Sequence, residues 1–265
     1  MSVPGLASWM DDVHLGDCLE LMGSMPEGCV DLVLADLPYG TTRNSWDSVI
    51  DLDQLWAAYH KVAKPSAAIV LTAAQPFTSV LVCSNLAEFR YEWIWSKTVS
   101  SGQLNVAHQP LRSHESVLVF YRRRPKYNPQ ATAGEPYALR RKASSFSGRS
   151  YNAQRDHDVR NPGTRAPKSV LVVPNPRIRG GHPTQKPLAL FEYLVQTYTE
   201  PGDLVLDNVV GSGTTAVAAI RTGRHFIGMD TNNDYLSMAR RRIAAARDDQ
   251  APPGHQTTTK GDAGP

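Results

Sequence analysis

Cysteine is scarce in this chain. Its 265 residues include three, Cys18, Cys29 and Cys83, scattered and without a C-x-x-C pair. That spacing offers neither a disulfide framework nor a cysteine zinc cluster, so no metal site is expected and a reducing compartment suits the chain. No apolar run reaches membrane-spanning length, and the opening segment "MSVPGLASWMDD" lacks a signal-peptide pattern. A soluble, cytoplasmic protein without a membrane partner is the expectation. There is no internal repeat. Hydrophobic residues make up 41% and charged residues 20%, enough apolar material for one sizeable core, or one core and a smaller module.

Charge is the exception to this plainness. From Arg122 to Arg179 there are 14 Lys/Arg against three acids, a net +11, leaving −8 for the rest of a chain whose overall charge is +3. A solvated face or a disordered arm can be basic, but confinement to one segment is the footprint of a polyanion partner, here a nucleic acid.

Apolar periodicity predicts alternating strands and helices. Strands are expected over 12–17, 30–36, 66–73, 91–96, 115–122, 203–207 and 225–230. Helices are expected over 18–25, 51–64, 76–88, 187–199, 213–222 and 232–247. Such alternation favours a largely parallel sheet with helices on both faces. From 123 to about 180 the pattern stops, and only "SVLVVP" (169–174) reads as a strand, within an inserted module or long loops. The segment after Asp248 is polar and rich in Pro and Gly, as disordered chains are. The resulting division is 1–121, a basic insert at 122–179, 180–247, and a disordered tail at 248–265.

Two constellations carry chemistry. "LADLPYGTT" (34–42) sets an acid, a proline, an aromatic and a glycine where the second strand leaves the sheet. A turn accounts for Pro38 and Gly40 alone. "VLDNVVGSGTTAVAA" (205–219) has a strand–acid–glycine loop–helix form. Gly211 and Gly213 let the backbone turn tightly against a ligand, and the helix N-terminus behind them suits an anion. The loop lacks the lysine of a P-loop, which disfavours a triphosphate. The next strand ends in Asp230, where a carboxylate either accepts from ribose hydroxyls or caps a helix. Asp17 is a further acid at a strand end. These acids and the loop would face one crevice at the carboxyl edge of the sheet.

Together these segments, over about residues 12–247, resemble the DNA methyltransferases that modify exocyclic amino groups with S-adenosyl-L-methionine. "DLPYG" is similar to their D/N/S-P-P-Y/F/W motif, and "DNVVGSGTT" to their D-P-F-x-G-S-G-T-T loop. "GHPTQKP" matches the segment before that loop, and "EWIWSKT" and "HESVLVFYRRRPKYNPQ" resemble two more. Catalytic motif, basic insert and cofactor loop come in that order, the permuted arrangement called β. The chain departs at Leu37, where the first proline is usual, and at Asn208 and Val209, where Pro and Phe are usual.

The resemblance implies a Rossmann-like methyltransferase fold and a set of roles. Asp36 and the Leu37 carbonyl would accept hydrogen bonds from the target amino group. Pro38 would shape the turn, and Tyr39 would stack on the flipped base. Asp17 would hold the cofactor's adenine and Asp230 its ribose. Asp207, Gly211, Ser212 and Gly213 would line its methionine part. Thr184 and Lys186 would neighbour its carboxylate, with His182 beside them or in a structural hydrogen bond. The insert would be the target-recognition region on double-stranded DNA. A homodimer and a cognate restriction endonuclease stay open as partners. Adenine N6 is favoured over cytosine N4 because Asp begins the motif. Carbon-5 methylation fits poorly, since no cysteine follows a proline. Three other classes compete: an RNA or protein amino methyltransferase, an inactive nucleic-acid-binding relative, and a dinucleotide-binding oxidoreductase. The last would need an early G-x-G-x-x-G, whereas 211–216 reads G-S-G-T-T-A.

Overall fold

The structure is a computed structural model, and it describes residues 5–40, 48–142, 156–175 and 185–250. The chain runs β1 (Asp12–Leu15), α1 (Cys18–Ser24), β2 (Val30–Ala35), α2 (Leu52–Val62), β3 (Ala63–Ala73), α3 (Phe77–Ser84), β4 (Phe89–Ser101) and β5 (Arg112–Phe120). Four short strands follow, β6 (Thr132–Ala133), β7 (Tyr137–Arg141), β8 (His157–Asn161) and β9 (Thr164–Arg165). Then come β10 (Val170–Val173), α4 (Leu188–Tyr198), β11 (Leu204–Asp207), α5 (Thr214–Arg221), β12 (His225–Asp230) and α6 (Asn233–Gln250).

Eight strands form one sheet in the order β1-β12-β11-β2-β3-β5-β4-β10. All neighbours are parallel except β3–β5 and β5–β4. The central parallel strands are buried on both faces, so they read as unbroken apolar runs. In β2, Leu32 and Leu34 enter one core cluster, and Val30, Val33 and Ala35 enter the other. The first cluster is covered by α4, α5 and α6, the second by α1, α2 and α3. The result is the expected three-layer α/β sandwich.

Helix starts follow local chemistry. Asp17 caps α1 by accepting from the N–H groups of Leu19 (2.8 Å) and Glu20 (3.2 Å). Asp51 caps α2 through the Gln54 N–H at 3.0 Å. Such caps are worth about 0.5–2 kcal/mol each.

The chain separates into two compact units, one of residues 1–127 and 170–265, the other of residues 128–169. The second contains two antiparallel pairs, β6–β9 and β7–β8. Apolar periodicity does not announce these strands, because they are short and polar and β7 is exposed along its whole length. Strand β10 corrects the boundary of the insert. It pairs in parallel with β4, Val170 opposite Ile94 and Val173 opposite Lys97, and so belongs to the main sheet.

Candidate active site

Four acids sit where neighbouring parallel strands end. Asp17 follows β1, Asp36 follows β2, Asp207 ends β11 and Asp230 ends β12. The order β1-β12-β11-β2 makes these strands consecutive. All four acids line one cavity of about 570 Å³, together with Leu37, Pro38, Tyr39, Lys186, Gly211 and Ser212. This is the carboxyl-edge crevice where open α/β sheets bind ligands, and its size is that of a small-molecule site. Thr184 and His182 lie outside the described residues.

On the cofactor-loop side, Asp207 is buried. Its carboxylate accepts from the Val209 N–H at 3.1 Å and the Thr215 hydroxyl at 2.5 Å. Burial pushes its pKa up to about 7, although the Thr215 and Val209 hydrogen bonds oppose the shift. Since the folded value lies above the unfolded one of 3.8, folded Asp207 holds a proton that the unfolded chain has lost. Its contribution to stability is therefore complete below the unfolded pKa and is lost as pH rises through about 7. Asp207→Asn should flatten this part of the stability profile, read by urea denaturation at several pH values between 4 and 8. An unchanged slope would show that Asp207 does not titrate there.

Asp230 is not the cap of α6. That cap is Asn232, whose side-chain oxygen accepts from Asp234 N–H at 2.8 Å. Asp230 accepts instead from the Gly211 N–H at 2.9 Å and the Asn232 N–H at 2.8 Å, pinning the glycine loop to the end of β12. Gly213 has φ 81°, and a Cβ there would lie 3.0 Å from the Ala239 Cβ. Glycine is thus required twice over, by conformation and by the approach of α6. From α6, Arg242 donates to the Ser212 carbonyl (2.5 Å), the Ser212 hydroxyl (2.9 Å) and the Thr214 hydroxyl (3.2 Å). Burial lowers the Arg242 pKa from its ordinary value. Sequence reasoning missed this residue, because the run Arg240–Arg242 looks like any basic helix surface.

The departure at Asn208 has a structural account. Its side chain is buried, accepts from the Tyr59 hydroxyl at 2.7 Å and donates to Cys18 Sγ at 3.5 Å. The polar replacement is satisfied by partners that a proline could not use. Leu37 is 3% exposed within the α1–α3 core cluster, so its side chain anchors the motif in apolar surroundings.

Around Asp36 the contacts are polar and dense. One carboxylate oxygen, Oδ1, accepts from the Tyr39 hydroxyl at 2.7 Å and from the Thr72 hydroxyl. The other, Oδ2, is 2.8 Å from Lys186 Nζ. Lys186 also pairs with Glu115 Oε2 at 3.1 Å, and Glu115 in turn pairs with Lys97. Lys186 is only 7% exposed. Burial by itself would lower its pKa, but Asp36, Tyr39 and Glu115 outweigh burial and hold it well above the lysine range. For Glu115, burial is likewise outweighed, by Lys186 and Lys97, and its pKa falls. The ammonium of Lys186, expected near the cofactor carboxylate, is here engaged by two carboxylates, Asp36 and Glu115. Tyr39 is half-buried. Its ring stacks on Phe77 at 5.4 Å, and its hydroxyl is tied to Asp36.

The geometry can be set beside known proteins. A family model described as DNA methylase, of the N6/N4 type, matches residues 30–241. The chain belongs to the N6/N4 DNA methylase family. The DNA adenine methyltransferase YhdJ of Escherichia coli K12 is 30% identical over 254 residues, covering 87% of this chain and 82% of that protein. Among solved structures, the cytosine-N4-specific PvuII DNA methyltransferase superposes with a TM-score of 0.62 at 19% identity, over 89% of each chain. The M1.HpyAVI complex with SAM gives 0.60 at 21% identity, covering 87% of this chain and 98% of that one. At these identities the two structures establish that the methylase shares their fold. Membership of the DNA methylase family excludes the oxidoreductase reading. The described residues contain no group of three or more His, Cys, Asp or Glu able to hold a metal ion.

Proposed function

We propose that this methylase transfers a methyl group from S-adenosyl-L-methionine to the exocyclic amino group of a base flipped out of double-stranded DNA, with adenine N6 the favoured target. The observation that carries the reading is one cavity holding both Asp36 and the glycine loop. The cofactor suits that cavity in size, with acids for its hydroxyls and amine and backbone N–H groups for its carboxylate. When bound, it supplies an electrophilic methyl on a sulfonium. Asp230 would accept from its ribose, Asp17 would lie towards its adenine, and Asp207, Gly211 and Ser212 would line its methionine part, with Gly213, expected there too, packed behind them against α6.

An amino group on a base is a poor nucleophile because its lone pair is delocalised into the ring. Asp36 Oδ1 and the Leu37 carbonyl would accept from its two hydrogens, drawing the nitrogen towards tetrahedral geometry. The base amino group would take the place now held on Oδ1 by the Tyr39 and Thr72 hydroxyls. Tyr39, whose ring now stacks on Phe77 and has Lys186 Nζ 5.5 Å from its centre, would turn a face to the base as the base enters. Pro38 shapes the turn between them. Lys186 stays on Oδ2 and keeps the carboxylate from rotating. Held this way, the amino nitrogen would be placed in line to take the methyl from the sulfonium, the carbon–sulfur electron pair leaving with sulfur and the proton shed by the nitrogen passing to solvent water. Proximity and orientation carry this step, and no covalent enzyme intermediate is required.

Two observations support adenine: Asp stands first in the motif, and the 30% identical relative is named an adenine methyltransferase. Mass spectrometry of nucleosides from DNA treated with the purified chain and S-adenosyl-L-methionine should find N6-methyladenine. N4-methylcytosine alone would overturn the base while keeping the chemistry. No methylated base would overturn both.

The basic stretch 122–179 is proposed as the target-recognition region. Arg141, Lys142 and Arg160 there are exposed. Replacing all three with glutamine should weaken duplex binding and reduce the slope of log affinity against log salt by about 0.9 for each phosphate no longer neutralised. A slope unmoved in fluorescence anisotropy titrations would place the DNA surface elsewhere.

A further inference from the structure

The hairpin tip between β4 and β5 supplies nothing to the core or to the acids of the cavity. Residues 103–114 are all exposed, yet the tip is ordered by its own backbone. Asn105 N–H donates to the Gly102 carbonyl at 3.0 Å, and the Asn105 carbonyl accepts from His108 (2.9 Å) and Gln109 (3.0 Å). On this projection Leu104 is 100% exposed, Val106 62% and Leu111 40%. One exposed leucine is ordinary, but three apolar side chains together on one ordered projection form a patch.

Two further observations identify what would cover them. The hairpin springs from the rim of the catalytic cavity: Ser101 and Arg112 pair across its base, and both line the cavity with His114. No acid occurs between Glu92 and Glu115, while Lys97, Arg112, His108 and His114 do. An apolar knob on an acid-free, basic arm beside the catalytic pocket fits a polyanion with a stacked apolar interior. Proteins that distort duplexes insert such side chains between base steps.

We propose that the 102–111 tip is a wedge that enters duplex DNA at the target, with Leu104 filling the stack as the base leaves it. The proposal rests on the base-flipping reading above. Leu104 acts there as a positioning residue: it would lower the cost of extrusion and take no part in methyl transfer. A target that is already unpaired would need it less.

The test uses the full chain and a duplex carrying the site mapped by sequencing DNA from cells that express it. Leu104→Ala should lower kcat/KM on the paired duplex about tenfold, as expected for part of an unstacking cost. On the same duplex with the target opposite an abasic position, the variant should come within about twofold of the unmodified chain. With 2-aminopurine at the target, the variant should give a smaller fluorescence rise on binding, and Leu104→Met should restore it. Equal losses on both duplexes, or no loss on either, would overturn the wedge. So would a Leu104→Ala chain that sediments as a smaller species than the unmodified one, which would make the tip a contact between copies. Inactivity of the unmodified chain on both duplexes would instead overturn the base-flipping reading itself.

Discussion

Asp36→Ala should abolish useful methyl transfer, with kcat falling on the order of 10²–10³-fold or more, the range for removing one preorganised hydrogen-bonding group from a transition state. The fold should survive. Lys186 keeps Glu115 as its partner, and the Thr72 and Tyr39 hydroxyls retain each other at 3.3 Å. Binding of S-adenosyl-L-methionine, measured by calorimetry, should change little, since the contacts proposed for it come from other strand ends. Asp36→Asn keeps an acceptor oxygen for the amino group and should lose much less activity than the alanine variant. Near-normal turnover by Asp36→Ala would remove Asp36 from the mechanism.

Lys186→Met should be strongly destabilising. It removes the ammonium that Asp36 and Glu115 share, leaving Asp36 without a cation and Glu115 with Lys97 alone. Breaking a buried pair by removing one partner costs roughly 3–5 kcal/mol, because the remaining charge is uncompensated. Urea denaturation should show a loss of that order, and single-turnover methylation should fall as well. Adding Glu115→Gln removes the repulsion between the two carboxylates that Lys186 had bridged, so the double variant should recover part of the stability. It should not recover activity, because Asp36 would still lack the cation on Oδ2. This non-additivity separates the two roles. If stability and activity return together, Lys186 serves the fold alone.

Much of this site is legible in the sequence, for a physical reason. Parallel strands buried on both faces are apolar throughout, so an acid just beyond one stands out. Asp36, Asp207 and Asp230 can be located for that reason, and the loop glycines because their conformations admit little else. Contacts between distant segments are not legible. Lys186 precedes a helix, and its partner Glu115 lies on an antiparallel strand; nothing in the spacing of either indicates the other. The same holds for the Asn208–Tyr59 hydrogen bond, where sequence shows only a departure from a pattern. The strands of the insert are hidden because they carry no buried face, and β10 because it borders the insert while pairing with β4.

The neighbour relations within the sheet also govern when the site can exist during synthesis. Strand β2, which leads into Asp36, is made early, but its parallel neighbour β11 follows the whole insert, and β1 pairs with β12. Such distant pairings form slowly, since a long loop must close before any contact rewards it. A nascent chain on the ribosome therefore carries Asp36 with no facing loop until residues beyond Asp230 have emerged. Products of premature termination upstream of β11 would carry Asp36 with only half of the cavity around it.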